Sequence, residues 1–154
     1  MIDIRPTEFV PLAKFGRAWR FTDPKYNVLP PAALADLHPI NQLRAAALFA
    51  DLKGACESFH SESRDPDTQI DATCENDEAH ARITEALRAL PIAADERIVV
   101  SWDRNDAVET SWRTFFTYWD DFCYPSSDDV TIRPLDGAWR LCYHHWERFS
   151  FSPL

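Results

Sequence analysis

Glycine is nearly missing from this chain: 3 of 154 residues, at positions 16, 54 and 137, far apart from one another. Phosphate- and dinucleotide-binding loops need clustered glycines so that backbone N–H groups can approach the phosphates closely. Nucleotide cofactors are therefore excluded, and no cofactor is expected. C-x-x-C and H-x₃-H spacings are also absent, which leaves no strong zinc signature. No apolar run approaches the ~20 residues of a membrane-spanning helix. The opening MIDIRP lacks the basic-then-apolar layout of a secretion signal, so the expected location is the cytoplasm. No internal repeat or long low-complexity tract occurs.

What is plentiful is aromatic residues and acid. Six Trp, ten Phe and four Tyr supply a large core for one domain spanning 1–154. The formal net charge is −9. It is unevenly placed: 7 Lys/Arg against 6 Asp/Glu in residues 1–60, 3 against 10 in 61–96, and 6 against 9 in 97–154. An acidic surface repels nucleic acids and anionic membranes and favours basic partners. The four cysteines, at 56, 74, 123 and 142, are expected as reduced, partly buried thiols, because a chain of this size needs no disulfide staples.

Periodicity points to an α+β fold, with a mainly helical part over 1–96 and a β-α-β-β-β part over 97–154. Five prolines in the first 31 residues rule out a long helix there. The stretch 15–23 is expected to contain a short extended piece with Trp19 and Phe21 on one side. Pro30-Pro31 opens a short helix. A longer helix follows over 40–59, with Leu48, Leu52, Ala55 and Phe59 as its stripe and Leu43, Ala47 and Ala50 as a flat flank for close packing. The polar stretch SESRDPDTQIDATCE at 61–75 reads as an exposed loop. Asn76 caps the next helix, whose stripe is Ala79, Ile83, Ala86, Leu87 and Leu90.

Beyond Pro91 the pattern changes to strands and one aromatic helix. Residues 97–102 alternate, with Ile98, Val100 and Trp102 on one face. Residues 106–122 return to helical spacing through Val108, Trp112, Phe115, Phe116 and Trp119, supported by a Glu109–Arg113 pair. Three strands, 129–134, 138–144 and 148–152, complete an antiparallel meander sheet. Asp136-Gly137 supplies the first hairpin turn. Helices of the N-terminal half are expected to cover one face of this sheet.

Three groups of residues invite a functional reading. Cys142 and His144 share a strand face, with Cys123 near them, and form a candidate nucleophile–base pair or metal site. Asp120, Asp121, Asp128 and Asp129 bracket FCYPSS; acids at a helix C-terminus oppose its dipole, which suggests a use in attracting a basic partner. Trp146 falls in the turn 144–147, where it either anchors a partner, as interface tryptophans do, or packs back onto the sheet edge.

The run YWDDFCYPSSDD at 118–129 after Trp112 and the strand pair WRLCYHHWERFSF at 139–151 resemble small bacterial immunity proteins of polymorphic and contact-dependent growth-inhibition toxin systems. WRFTD at 19–23, followed by a Leu-Pro segment, resembles the opening of an uncharacterised proteobacterial family with a similar C-terminal layout. The resemblance implies a cytoplasmic, non-enzymatic protein that binds a cognate toxin domain, such as a basic nuclease, and blocks it. Asp120, Asp121, Tyr124, Asp128, Asp129 and Trp146 are then the expected contact residues, with loop 61–75 as a further contact region. The alternatives are a small hydrolase or other enzyme built on Cys142 and His144, and a homo-oligomer that buries its aromatics between copies.

Overall fold

The computed structural model describes residues 1–61 and 68–154, with residues 52–61 described by backbone alone. The fold is α+β. Short helices α1 (Trp19–Thr22) and α2 (Pro31–Ala35) lead into the two-residue strand β1 (His38–Pro39) and the long helix α3 (Gln42–Ser61). After these come β2 (Thr68–Asp71), α4 (Asp77–Arg88), the hairpin β3 (Arg97–Ser101) and β4 (Ala107–Ser111), and the short helices α5 (Trp112–Thr117) and α6 (Trp119–Phe122). The chain closes with β5 (Val130–Pro134), β6 (Trp139–His144) and β7 (Arg148–Pro153). Among the described residues all strands pair antiparallel in one sheet of order β1-β4-β3-β5-β6-β7-β2.

Several expected elements form for the expected reasons. Asn76 Oδ1 accepts from the Ala79 N–H at 2.8 Å, and Ile83 and Leu87 below it are fully buried. Pro30-Pro31 opens α2. Gly137 takes φ +75° in the β5–β6 turn, a conformation that suits glycine, and the alternation of β3, β6 and β7 puts Ile98, Val100, Leu141, Tyr143, Phe149 and Phe151 into one core.

Elsewhere the structure corrects the sequence reading. Residues 107–111 form a strand, not the start of a helix. Asp103 Oδ1 accepts from the N–H groups of both Asn105 and Asp106 and closes a tight turn, so the chain folds back beside β3. Glu109 then pairs across the sheet with Arg97 at 2.8 Å, not with Arg113. Residues 68–71 of the expected loop add a strand to the edge of β7; residues 62–67 lie outside the described residues. Around Trp19 the chain is helical, which separates two residues i and i+2 by about 200°: Phe21 is buried and Trp19 is 37% exposed.

Helices cover both sheet faces. Those on one face, α1, α2, α4, α5 and α6, bury Phe21, Ala33, Leu87, Trp112, Phe115 and Phe122 against it. On the other face α3 sets Ala45 and Leu48 against Val99 and Ala107. Leu43, Ala47 and Ala50 are exposed, so the expected close-packing flank faces outward; Leu52, Ala55 and Phe59 lie among the residues described by backbone alone. Toward β6 and β7 this second face turns polar, carrying Thr131, Arg140, Cys142, His144 and Ser150. Cys74 and Cys123 are free thiols, as expected, while Cys142 is disulfide-bonded, which corrects the expectation at that position. Chain size bears on whether a bridge is needed, not on whether folding brings two cysteines together.

Candidate functional site

The segment 118–129 is tied to α1 by a buried ion pair. Arg20, 2% exposed, donates from Nη1 and Nη2 to Asp128 at 2.6 and 3.0 Å. Nη1 also reaches the Phe122 carbonyl at 3.2 Å, which the Trp102 indole N–H shares at 2.8 Å. Asp128 in turn accepts from the Tyr124 N–H at 2.8 Å, closing a turn in which Ser126 takes φ +68°. The Arg20 guanidinium lies 4.0 Å from the Tyr124 ring centre and 5.3 Å from that of Trp19. Such contacts are attractive and strengthen when shielded from water.

This strut holds an aromatic patch at the surface. Trp19 packs against Tyr26 at 4.5 Å and Tyr124 at 5.9 Å between ring centres. Tyr26 is 48% exposed and Val28 49%. The Ser126 N–H donates to the His145 carbonyl at 3.0 Å, which joins this turn to the β6–β7 turn. There Trp146 is 70% exposed and packs against His145 at 5.1 Å. Of the two placements open to Trp146, the structure shows the exposed one, with the ring against a neighbouring histidine.

The four aspartates divide by burial. Asp120 and Asp129 stand at the surface, each beside a histidine: Asp120 with His80 at 3.1 Å, Asp129 with His145 at 2.9 Å. Asp128 is 5% exposed and Asp121 8%. Asp128 is thus a structural partner of Arg20, and its expected place on the contact surface is withdrawn. Asp120 and Asp121 lie in the first turn of α6, so the expectation that they oppose a helix dipole is corrected too.

Asp121 is the unusual one. Asn27 Nδ2 donates to its Oδ2 at 2.9 Å, and among the described residues it has no ion pair. Burial pushes its pKa up to about 6, with Asp120 adding to the rise and Asn27 and His80 opposing it. A carboxyl whose folded pKa exceeds its unfolded value favours folding below the unfolded pKa of ~4 and loses that advantage as pH rises through about 6. Asp121→Asn, which retains an acceptor for Asn27, should therefore stabilise the protein by about 1–3 kcal/mol at pH 8 and by little at pH 4. Denaturant titrations at the two pH values measure this; equal effects at both would mean that the carboxylate is well solvated.

The enzyme reading loses its nucleophile. A disulfide-bonded Cys142 offers no thiolate to His144, which is itself buried. Cys123 does not join them: it lies in the core on the opposite sheet face, where burial drives its thiol well above the usual range. Among the described residues no group of three or more His, Cys, Asp or Glu is arranged to hold a metal ion. A cavity of about 230 Å³ lies elsewhere, floored by Val10, Phe15 and Ile40 and edged by Lys14, Asn41 and Asp106. No described helix is long and apolar enough to cross a membrane.

Sequence reasoning did not assign Trp19, Tyr26, Asn27 or His80 to this face. The available signal was composition alone, Trp and Tyr flanking the turn DPK; their meeting with Tyr124 spans about a hundred residues of chain.

Fold and site together define an α+β domain built on a seven-stranded antiparallel sheet, with exposed aromatic rings and surface carboxylates around the 118–129 segment. The chain belongs to the family described as a protein of unknown function (DUF2947), which matches residues 9–136. That span includes α1, Tyr26, Asn27 and the 118–129 segment, and ends before the β6–β7 turn. No curated protein and no solved structure matches the chain.

Proposed function

We propose that this protein is a binding module that neutralises a basic protein partner, as an immunity protein neutralises its cognate toxin domain. The observation that carries the reading is the combination of exposed rings, Trp19, Tyr26 and Trp146, with the surface acids Asp120 and Asp129, joined through the 118–129 segment by the Trp19–Tyr124 contact and the Ser126–His145 bond. Exposed Trp and Tyr are the side chains that most often anchor protein interfaces. Acid at the rim steers a basic partner and accelerates encounter, which matters for an inhibitor that must capture a lethal protein quickly. The net charge of −9 works in the same direction.

Co-expression with the C-terminal region encoded by the gene immediately upstream tests this directly, scored by growth and by co-purification. Restored growth with a stable complex is expected. Toxicity that persists, with no complex formed, would overturn the reading. Within such a complex, Asp120→Lys with Asp129→Lys should slow association at low salt by roughly ten-fold or more while leaving dissociation nearly unchanged, since rim charges act mainly on the on-rate. An association rate equal to that of the native chain would remove these two residues from the contact.

A further inference from the structure

Asp121 is the carboxylate in this region that has not been given a cation. Arg20 of α1 is committed to Asp128, and His80 of α4 to Asp120. Lys25, in the loop after α1, sits 5.5 Å from the Tyr26 ring centre. Asp121 receives one hydrogen bond, from Asn27 to Oδ2; among the described residues its Oδ1 receives none. A buried carboxylate without a counter-charge is costly to maintain. Tyr124 feels the charge of Asp121, Asn27, which bonds Asp121, directly follows Tyr26 in the chain, and Trp19 packs against the rings of both tyrosines.

We infer that Asp121, with the rings of Trp19, Tyr26 and Tyr124, accepts an arginine side chain of the protein partner. The inference rests on the partner-binding reading above and names the contact at its centre. Arginine suits the place better than lysine: its planar guanidinium lies flat on aromatic rings and presents two donors to one carboxylate. The fold contains the same contact internally, where Arg20 lies over Tyr124 and forks onto Asp128. A partner guanidinium would supply Asp121 with what Arg20 supplies Asp128, a few residues along the same segment. Asp121 must be ionised to act this way. The groups acting on it are Asn27, Asp120 and His80, with Tyr124 also within its field, and its burial raises its titration to about 6.

A hexa-arginine peptide titrated into the full chain at pH 7.5, followed by NMR, tests the assignment, with hexa-citrulline and hexa-lysine peptides for comparison. The Trp19 indole N–H and the Asn27 side-chain amide are expected to shift with hexa-arginine and not with hexa-citrulline. Hexa-lysine should bind several-fold more weakly. Asp121→Asn should lower hexa-arginine affinity at least ten-fold, and lowering the pH to 5 should do the same to the native chain but not to the variant. Unchanged affinity in Asp121→Asn, or equal binding of the arginine and lysine peptides, would overturn the arginine site even if a toxin domain still co-purified. Conversely, Asp121-dependent peptide binding with no toxin neutralised would leave the site standing and remove the immunity reading.

Discussion

Asp128→Asn should lower the free energy of unfolding by about 3–5 kcal/mol, the usual cost of removing one partner of a buried ion pair. Arg20 and Asp128 are 2% and 5% exposed, so water cannot solvate the guanidinium once the carboxylate charge is gone. Part of its remaining bonding falls on the Phe122 carbonyl, which cannot balance a full charge in a dry site. The loss should also be felt at the surface: Asp128 holds the Tyr124 N–H, and without it the turn carrying Tyr124 loosens beneath Trp19. Replacing both members with apolar residues of similar volume, Arg20→Met with Asp128→Leu, should recover part of the stability, because two desolvated charges are then absent together. Chemical denaturation of the three variants decides the matter. A loss below 1 kcal/mol in Asp128→Asn would mean that the pair is wet in solution.

A second large effect is expected at Asp36, between α2 and β1. Its carboxylate accepts from Thr110 Oγ1, Ser111 N, Ser111 Oγ and Thr114 Oγ1, and pairs with Arg97. Burial acts to raise its pKa, but the bonds from Ser111, Thr114 and Arg97 outweigh it and hold the carboxyl well below the usual carboxylate range. One side chain thus pins the N-terminal helices to the β4–α5 junction. Asp36→Ala should cost about 2–4 kcal/mol at pH 7, as several charge-assisted hydrogen bonds disappear together. Because the folded pKa is depressed, this stability is present above the unfolded value of ~4 and fades as pH falls below it. The native chain should therefore lose stability between pH 5 and pH 2.5 more steeply than the variant does. Parallel slopes would show that Asp36 does not act through its charge.

The elements that could be read from sequence are those specified locally. Asn76 with the Ile83–Leu87 stripe specifies α4, Asp136-Gly137 specifies the β5–β6 turn, and strict alternation specifies β3, β6 and β7. The stretch 106–122 is ambiguous in sequence, because Val108, Trp112, Phe115 and Trp119 satisfy helical spacing while Ala107–Ser111 also satisfies a strand. The Asp103 turn and the open edge of β3 decided between them. Thr68–Asp71 carries no apolar run at all; it is a strand because β7 offers it unpaired backbone groups.

The same division runs through the site. Composition by itself determined an acidic, aromatic-rich chain without the glycines of a nucleotide site, periodicity pointed to an α+β fold, and local pattern singled out the segment 118–129. Tertiary structure decided what each acid there became. The chain order Asp120, Asp121, Asp128, Asp129 shows four alike residues, yet two face water, one is sealed against Arg20, and one lies buried beside Asn27 with no ion pair among the described residues. The difference depends on which distant groups reach each carboxylate, from α1 and from α4. Burial and counter-charge are set by those long-range approaches, and a linear sequence does not display them.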